Sequence, residues 1–122
     1  DMQKELRLGN IKAMRDWGHA SDYVDAMWMM LQQKKASDFV IGTGKMHSVK
    51  DFAKLAFTHV GLDYKKYIKI NKNLLRPSEV DKLCADYKYA QKVLNWKPDV
   101  NFNKLVKQMV DEDIKFVKKS GH

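Results

Sequence analysis

Along this chain, segments with an apolar residue at every third or fourth position alternate with short apolar runs closed by glycine or by polar turns. That alternation favours an α/β fold, because an amphipathic helix must lay its apolar stripe on a sheet or on another helix. Between Ala20 and about Gln33 the stripe is Ala20, Tyr23, Val24, Met27, Trp28 and Leu31, with Ser21 or Asp22 placed to cap it, and the spacing predicts a helix that buries this face. Phe39-Val40-Ile41 is a short apolar run ended by Gly42-Thr43-Gly44. Ser48 can then cap a second helix with Phe52, Leu55, Ala56, Phe57 and Val60 on one side, stopped by Gly61. Tyr67-Ile68-Lys69-Ile70 alternates as a strand does, whereas Asn71 to Glu79 reads as a loop around Pro77. Asp86 is placed to cap a short helix containing Ala90, Val93 and Leu94, and Pro98 closes the connection after Trp96. The last helix begins near Asn101 and carries Phe102, Leu105, Val106, Met109, Val110, Ile114 and Val117 on its apolar face. Lys115, Lys118 and Lys119 stand near its end, where the dipole favours cations. The expected architecture is a small mixed sheet with several amphipathic helices.

With 122 residues, one compact unit is the ceiling, and 44% hydrophobic residues suffice for a core. The formal charge of +8 would attract any polyanion, but its lysines are scattered as Lys34-Lys35, Lys65-Lys66, Lys69, Lys72 and Lys118-Lys119, the pattern of a solvated surface. Cys84 is the one cysteine, so neither an intrachain disulfide nor a cysteine metal pair is available; a packing role and a reducing, cytoplasmic setting are the defaults. No apolar run approaches the roughly 20 residues that a membrane helix needs. His19 and His59 lack the spacing of a zinc site, His47 beside the glycine turn reads as a helix-entry residue, and Met27, Met29 and Met30 read as packing.

Two arginines stand in distinctive contexts, Arg15-Asp16-Trp17-Gly18 and Arg76-Pro77-Ser78-Glu79-Val80. A guanidinium fork matches phosphate oxygens, and a carboxylate three residues beyond the second arginine can accept from a ribose hydroxyl pair, so together they describe a clamp for a diphosphate-sugar. Local chemistry alone also allows Arg15 to pair with Asp16 or Asp22, and Arg76 with Glu79. Pro77 fixes one torsion between Arg76 and Glu79, which lowers the entropy lost when both engage a ligand. Trp17 can pack beside a nucleotide or fill core, and a large aromatic more often does the latter. Asn10 after Gly9 can read a base edge or simply make a turn.

These strings carry a family resemblance. Leu8-Gly9-Asn10 running into Arg15-Asp16-Trp17-Gly18-His19-Ala20, then Asp22-Tyr23-Val24 and Ala26-Met27-Trp28, resembles the GDP-mannose 4,6-dehydratases, extended short-chain dehydrogenase/reductase enzymes. His47-Ser48-Val49, Val60-Gly61-Leu62-Asp63, Arg76 to Asp81 and Asn95-Trp96-Lys97-Pro98 continue it in the order of that family's C-terminal third. By this resemblance residues 1–122 form a single C-terminal nucleotide-sugar-binding portion without the Rossmann domain. Arg15 and Arg76 bind the pyrophosphate of GDP-mannose, Glu79 takes the ribose hydroxyls, and Asn10 and Trp17 are weaker candidates for the same site.

The family's Gly-rich dinucleotide loop and its catalytic Thr, Glu and Tyr-x-x-x-Lys group have no counterpart here, so the expectation is a fragment with no catalytic residue, no cofactor-binding residue and no metal ligand of its own. The intact enzyme implied by the resemblance is a hydro-lyase using NADP, bound by the missing N-terminal domain. Hydride leaves the sugar's fourth carbon, water is lost across the fifth and sixth, and the hydride returns to the sixth. The implied setting is GDP-mannose as partner, a homo-oligomer in the cytoplasm, and neither nucleic acid nor membrane. A face that once met the Rossmann domain should stay apolar and exposed, giving a tendency to associate. Where the family tends to have Gly-Asp and Leu-Gly-Trp, this chain has Ala85-Asp86 and Leu94-Asn95-Trp96, changes expected to alter turns rather than the clamp. Related dTDP-glucose dehydratases and UDP-sugar epimerases share such a clamp. A rival of another class is a basic module that binds nucleic acid through Lys65, Lys66, Lys69 and Lys72, with Tyr64 and Tyr67 as stacking platforms.

Overall fold

The computed structural model describes residues 3–75 and 83–120. Its elements are β1 (Leu6–Leu8), β2 (Met14–Arg15), α1 (Ala20–Leu31), β3 (His47–Ser48), α2 (Val49–His59), α3 (Tyr64–Tyr67), β4 (Ile68–Ile70), a 3-10 turn (Lys72–Leu74), α4 (Lys88–Leu94) and α5 (Phe102–Lys119). The expected α/β mixture is present, with the strand content divided between two small sheets. β1 pairs with β4 in parallel, Leu6 opposite Ile68, and β2 pairs with β3 antiparallel, Arg15 opposite His47. The parallel pair needs a long crossover, and α1 and α2 both lie within it. Phe39-Val40-Ile41 forms no strand; Phe39 and Ile41 pack as irregular chain against the helices.

Short polar side chains set the helix ends. Asp51 donates its backbone N–H to Ser48 Oγ at 3.0 Å while its carboxylate accepts from Ser48 N at 3.2 Å, a reciprocal cap that starts α2 as the sequence predicts. Asn101 Oδ1 accepts from Lys104 N at 2.9 Å and starts α5. For α1 the cap is His19, whose Nδ1 accepts from Ser21 N at 3.1 Å, in place of Ser21 or Asp22. Asp86 Oδ1 accepts from Lys88 N at 3.1 Å, so it serves the start of α4 from one residue outside the cap position, which Tyr87 holds. α4 ends on Asn95 in the left-handed region, φ 56°. Asparagine reaches that conformation more easily than other residues with a Cβ, so the turn survives the loss of a glycine.

Most of the core gathers where α1 crosses α4. Ala26 and Ala90 are completely buried there beside Leu94 and Trp96, flanked by Tyr23, Met29, Met30, Phe39, Ile41 and Tyr87. This corrects most of the expected face of α1: of that stripe Tyr23 packs on the core, while Ala20, Val24, Met27, Trp28 and Leu31 are exposed, and the helix packs through Tyr23, Ala26, Met29 and Met30. Asp22, expected as a cap, is buried instead. Its Oδ2 accepts from Val100 N at 3.1 Å and its backbone oxygen accepts from Trp96 Nε1 at 2.9 Å, tying α1 to the chain on both sides of Pro98. A second layer joins α2 to α5 through buried Ala53, Leu105 and Val106. An aromatic column runs through it: Trp17 lies 4.9 Å from Phe52, Phe52 lies 5.9 Å edge-on to Phe102, and His47 stacks on Phe102 at 3.8 Å. Val60, Val93, Met109 and Ile114, expected on buried faces, remain exposed.

Candidate functional site

Arg15 is the second residue of a two-residue strand, half-buried, and its Nη1 donates to Met14 O at 2.7 Å. The neighbouring backbone is tied to both flanks of the 76–82 segment. On the incoming side, Asn71 N donates to Leu8 O at 2.8 Å, and Gly9 lies so close to Leu74 that an added Cβ would stand 2.7 Å from its carbonyl oxygen. On the outgoing side, Leu83 N donates to Met14 O at 3.1 Å. Arg76 and Glu79, the other half of the predicted clamp, lie outside the described residues. Their flanks are nevertheless fastened to the same stretch, Leu8 to Met14, that leads to Arg15.

Asp16 occupies a junction of three chain segments. Its Oδ1 accepts from Thr43 N at 2.9 Å and Thr43 Oγ1 at 2.5 Å, and its Oδ2 accepts from Gly44 N at 2.9 Å and Ala85 N at 3.2 Å. Gly42 makes this approach possible, since a Cβ there would overlap the Ala85 side chain and come 2.8 Å from Asp16 Oδ2. The Asp16 and Asp22 carboxylates also act on Tyr23: burial first, then these two negative charges, hold its phenol above the ordinary value of 10.0.

Trp17 points its ring onto Phe52 and donates its indole N–H to His47 O at 3.2 Å, so its packing role is satisfied within the chain. Asn10 Oδ1 accepts from Lys12 N at 3.0 Å, which commits that oxygen to a turn. His47 is held by its stack on Phe102, and His59 Nε2 meets Asp111 Oδ1 at 2.7 Å across α2 and α5. Cys84 is exposed, correcting its expected packing role. It borders an open recess of about 500 Å³ whose lining includes Thr43, Lys45, Ala85, Tyr87 and Lys88, on the outgoing side of residues 76–82. No group of three or more metal-ligating side chains occurs among the described residues, and no helix there is long and apolar enough to cross a membrane.

The Gly42-Thr43-Gly44 turn does not offer a nicotinamide dinucleotide its phosphate site. The dinucleotide's phosphates need a glycine-rich turn with backbone N–H groups directed at an anion. The one glycine-rich turn among the described residues, Gly42-Thr43-Gly44, already directs the N–H groups of Thr43 and Gly44 at Asp16. The turn is closed by an internal anion. Sequence reasoning missed the buried role of Asp22, whose signal was a carboxylate inside the apolar register of α1.

Comparison with known proteins gives a consistent grouping. A family model described as GDP-mannose 4,6 dehydratase matches residues 1–109. The chain is 52% identical over 118 residues to GDP-mannose 4,6 dehydratase 1 of Arabidopsis thaliana, covering 97% of this chain and 33% of that protein. It is 41% identical over 128 residues to the Homo sapiens GDP-mannose 4,6 dehydratase, covering 91% and 34%. The chain therefore spans about a third of the length of the curated relatives it matches. Among solved structures, the UDP-glucose 4-epimerase of Thermotoga maritima with UDP-glucose aligns with TM-score 0.80 at 26% identity, covering 93% of this chain and 36% of that one. The dTDP-glucose 4,6-dehydratase of Bacillus anthracis in complex with NAD aligns with TM-score 0.81 at 18% identity, covering 92% and 35%, a likeness of fold.

Proposed function

The chain belongs to the GDP-mannose 4,6-dehydratase family, and on that premise we propose that residues 1–122 act as one portion of such an enzyme, the portion that clamps the nucleoside diphosphate of GDP-mannose. Arg15 and Arg76 bind the pyrophosphate oxygens, Glu79 accepts from the ribose hydroxyls, and the amide N–H₂ of Asn10 is the remaining contact. Trp17 supports the clamp from behind through Phe52 and His47. The intact protein converts GDP-mannose to its 4-keto-6-deoxy product, the step toward GDP-deoxyhexoses. NADP, which supplies hydride exchange when bound, is held by parts of the enzyme beyond this chain. The enzyme works as a homo-oligomer in the cytoplasm.

The observation that carries this reading is the double tether: the chain on both sides of the Arg76–Glu79 segment is bonded or packed to the backbone leading into Arg15. Fastening of both flanks to the backbone near Arg15 supports reading the two arginines as one clamp. Clamping a remote diphosphate places the hexose for reaction, so its binding energy is used for positioning. Against the nucleic-acid reading, Tyr67 is stacked on Phe57 at 5.5 Å and near-parallel, so one of the two proposed platforms is already covered.

The test is steady-state kinetics of the full-length enzyme carrying Arg15→Ala or Arg76→Ala. Losing one charge-assisted contact of roughly 1.5–3 kcal/mol raises the KM for GDP-mannose about 10- to 100-fold. An unchanged KM in either variant would sink the clamp assignment, and tight binding of a single-stranded oligonucleotide that GDP-mannose cannot displace would favour the basic module.

A further inference from the structure

We propose that Asp16 is the positioning residue for Arg15, anchoring the short strand that bears it; the proposal rests on reading Arg15 as a pyrophosphate-binding residue. A residue that merely followed Arg15 on the surface would need no partners. Asp16 has four donors from two other segments, Thr43 N, Thr43 Oγ1, Gly44 N and Ala85 N. Ala85 lies two residues beyond Leu83, whose N–H is bonded to Met14 O, so residues 14–16 receive the outgoing side of 76–82 through one backbone bond and one carboxylate bond. On the opposite side Arg15 pairs with His47, and Thr43-Gly44 closes over the same carboxylate. The short strand bearing Arg15 is therefore gripped between the 43–48 stretch and the 83–85 stretch, and the carboxylate bonds to both.

The charge and the two-oxygen geometry both matter. Both oxygens accept, Oδ1 from Thr43 N and Oγ1 and Oδ2 from Gly44 N, Ala85 N and a shared Thr43 N, a pattern that an ionised carboxylate supports and a carboxamide does not. In Asp16→Asn one oxygen can still serve Thr43, but the amide N–H₂ then faces the N–H groups of Gly44 and Ala85. The 83–85 stretch loses its carboxylate bond while Leu83 to Met14 remains, so the outgoing arm is loosened rather than released. The expected consequence is misplacement of Arg15, felt in substrate binding and not in the chemistry of the hexose.

The experiment is a double-mutant cycle in the full-length enzyme, with GDP-mannose as substrate. Asp16→Asn is expected to raise KM about 10-fold with kcat within about twofold, and to change KM less than about twofold when Arg15 is already Ala. Equal effects of Asp16→Asn with and without Arg15 would overturn the proposal, because a merely structural loss adds to the arginine's. If Arg15→Ala raises KM and Asp16→Asn does not, the positioning role falls and the clamp stands; if Arg15→Ala leaves KM unchanged, the clamp reading itself falls. Should Asp16→Asn fail to fold, Thr43→Val and Thr43→Ser carry the test. Val removes the hydroxyl donor and raises KM, Ser retains it and restores KM, and indistinguishable KM values for the two overturn the proposal.

Discussion

Adding one methyl at Gly42 tests the Asp16 junction in stability rather than kinetics. In Gly42→Ala the new Cβ overlaps the Ala85 side chain and stands 2.8 Å from Asp16 Oδ2. Ala85 can retreat only by stretching its 3.2 Å bond to Asp16, and Asp16 only by loosening its bonds to Thr43 and Gly44. An extra methyl forced into a packed site costs about 1–3 kcal/mol. One charge-assisted hydrogen bond given up costs roughly 1.5–3 kcal/mol. Because relief of the overlap and retention of the bond compete, the expected loss is about 3 kcal/mol. Ala85→Gly removes one of the two obstructions, and by itself costs about 0.5–1 kcal/mol of backbone entropy. The double variant should therefore recover about 1–2 kcal/mol relative to the sum of the singles, a coupling that distant sites do not show. Urea unfolding followed by far-ultraviolet circular dichroism, on all four proteins with a common m-value, measures it. Simple additivity, or a Gly42→Ala loss below about 0.5 kcal/mol, would refute the reasoning, since either means the segments around Asp16 are not in the contact described.

Three further outcomes are expected. Asn95 sits at φ 56° closing α4, so Asn95→Gly should stabilise the chain by a few tenths to about 1 kcal/mol and Asn95→Ala should destabilise it by about 1 kcal/mol, read from urea midpoints. Tyr23 has its phenol held above 10.0 by burial and then by Asp16 and Asp22, so the fold favours the neutral form. The resulting stability is fully present below that ordinary value and lost as pH rises through the raised one; wild type should lose more stability than Tyr23→Phe between pH about 9 and 11, and parallel losses would refute it. The isolated chain should self-associate through α1, and Trp28→Lys with Leu31→Lys should make it monomeric in sedimentation velocity; a monomeric parent chain would remove the basis for this.

The clamp reading came from residues that carry their chemistry in adjacent positions. Arg15-Asp16-Trp17 and Arg76-Pro77-Ser78-Glu79 suggest an anion clamp by residue type and spacing, and the second string lies outside the described residues. What spacing could not show is that Asp16 reaches residues 43, 44 and 85, since a carboxylate's partners from distant segments leave no periodic trace. The same holds for Asp22: its position suggested a cap, and only the arrival of Val100 and Trp96 explains why a charge is buried there. Ser48 and Asn101 were read correctly because an N-cap is local, made with donors within three residues of the side chain, and Gly61 because its positive φ after α2 suits glycine.

The inverted face of α1 has a different origin. Hydrophobic periodicity ranks faces by apolar content, and Val24, Met27, Trp28 and Leu31, read together with Tyr23, outrank Asp22, Ala26, Met29 and Met30 on that scale. Helix pairing also ranks faces by shape, because axes approach closely only where the crossing residues are small. Ala26 meets Ala90 at the crossing and both are fully buried, while the bulk of Tyr23, Met29 and Met30 fills the space on either side. Trp28 at that crossing would hold the helices apart and expose Leu94 and Trp96. The larger stripe, left 59% to 81% exposed, is therefore surplus to this chain's own core. A helix apolar on two sides is one that a second surface can cover, and the sequence recorded both sides at once, which is why periodicity alone chose the wrong one.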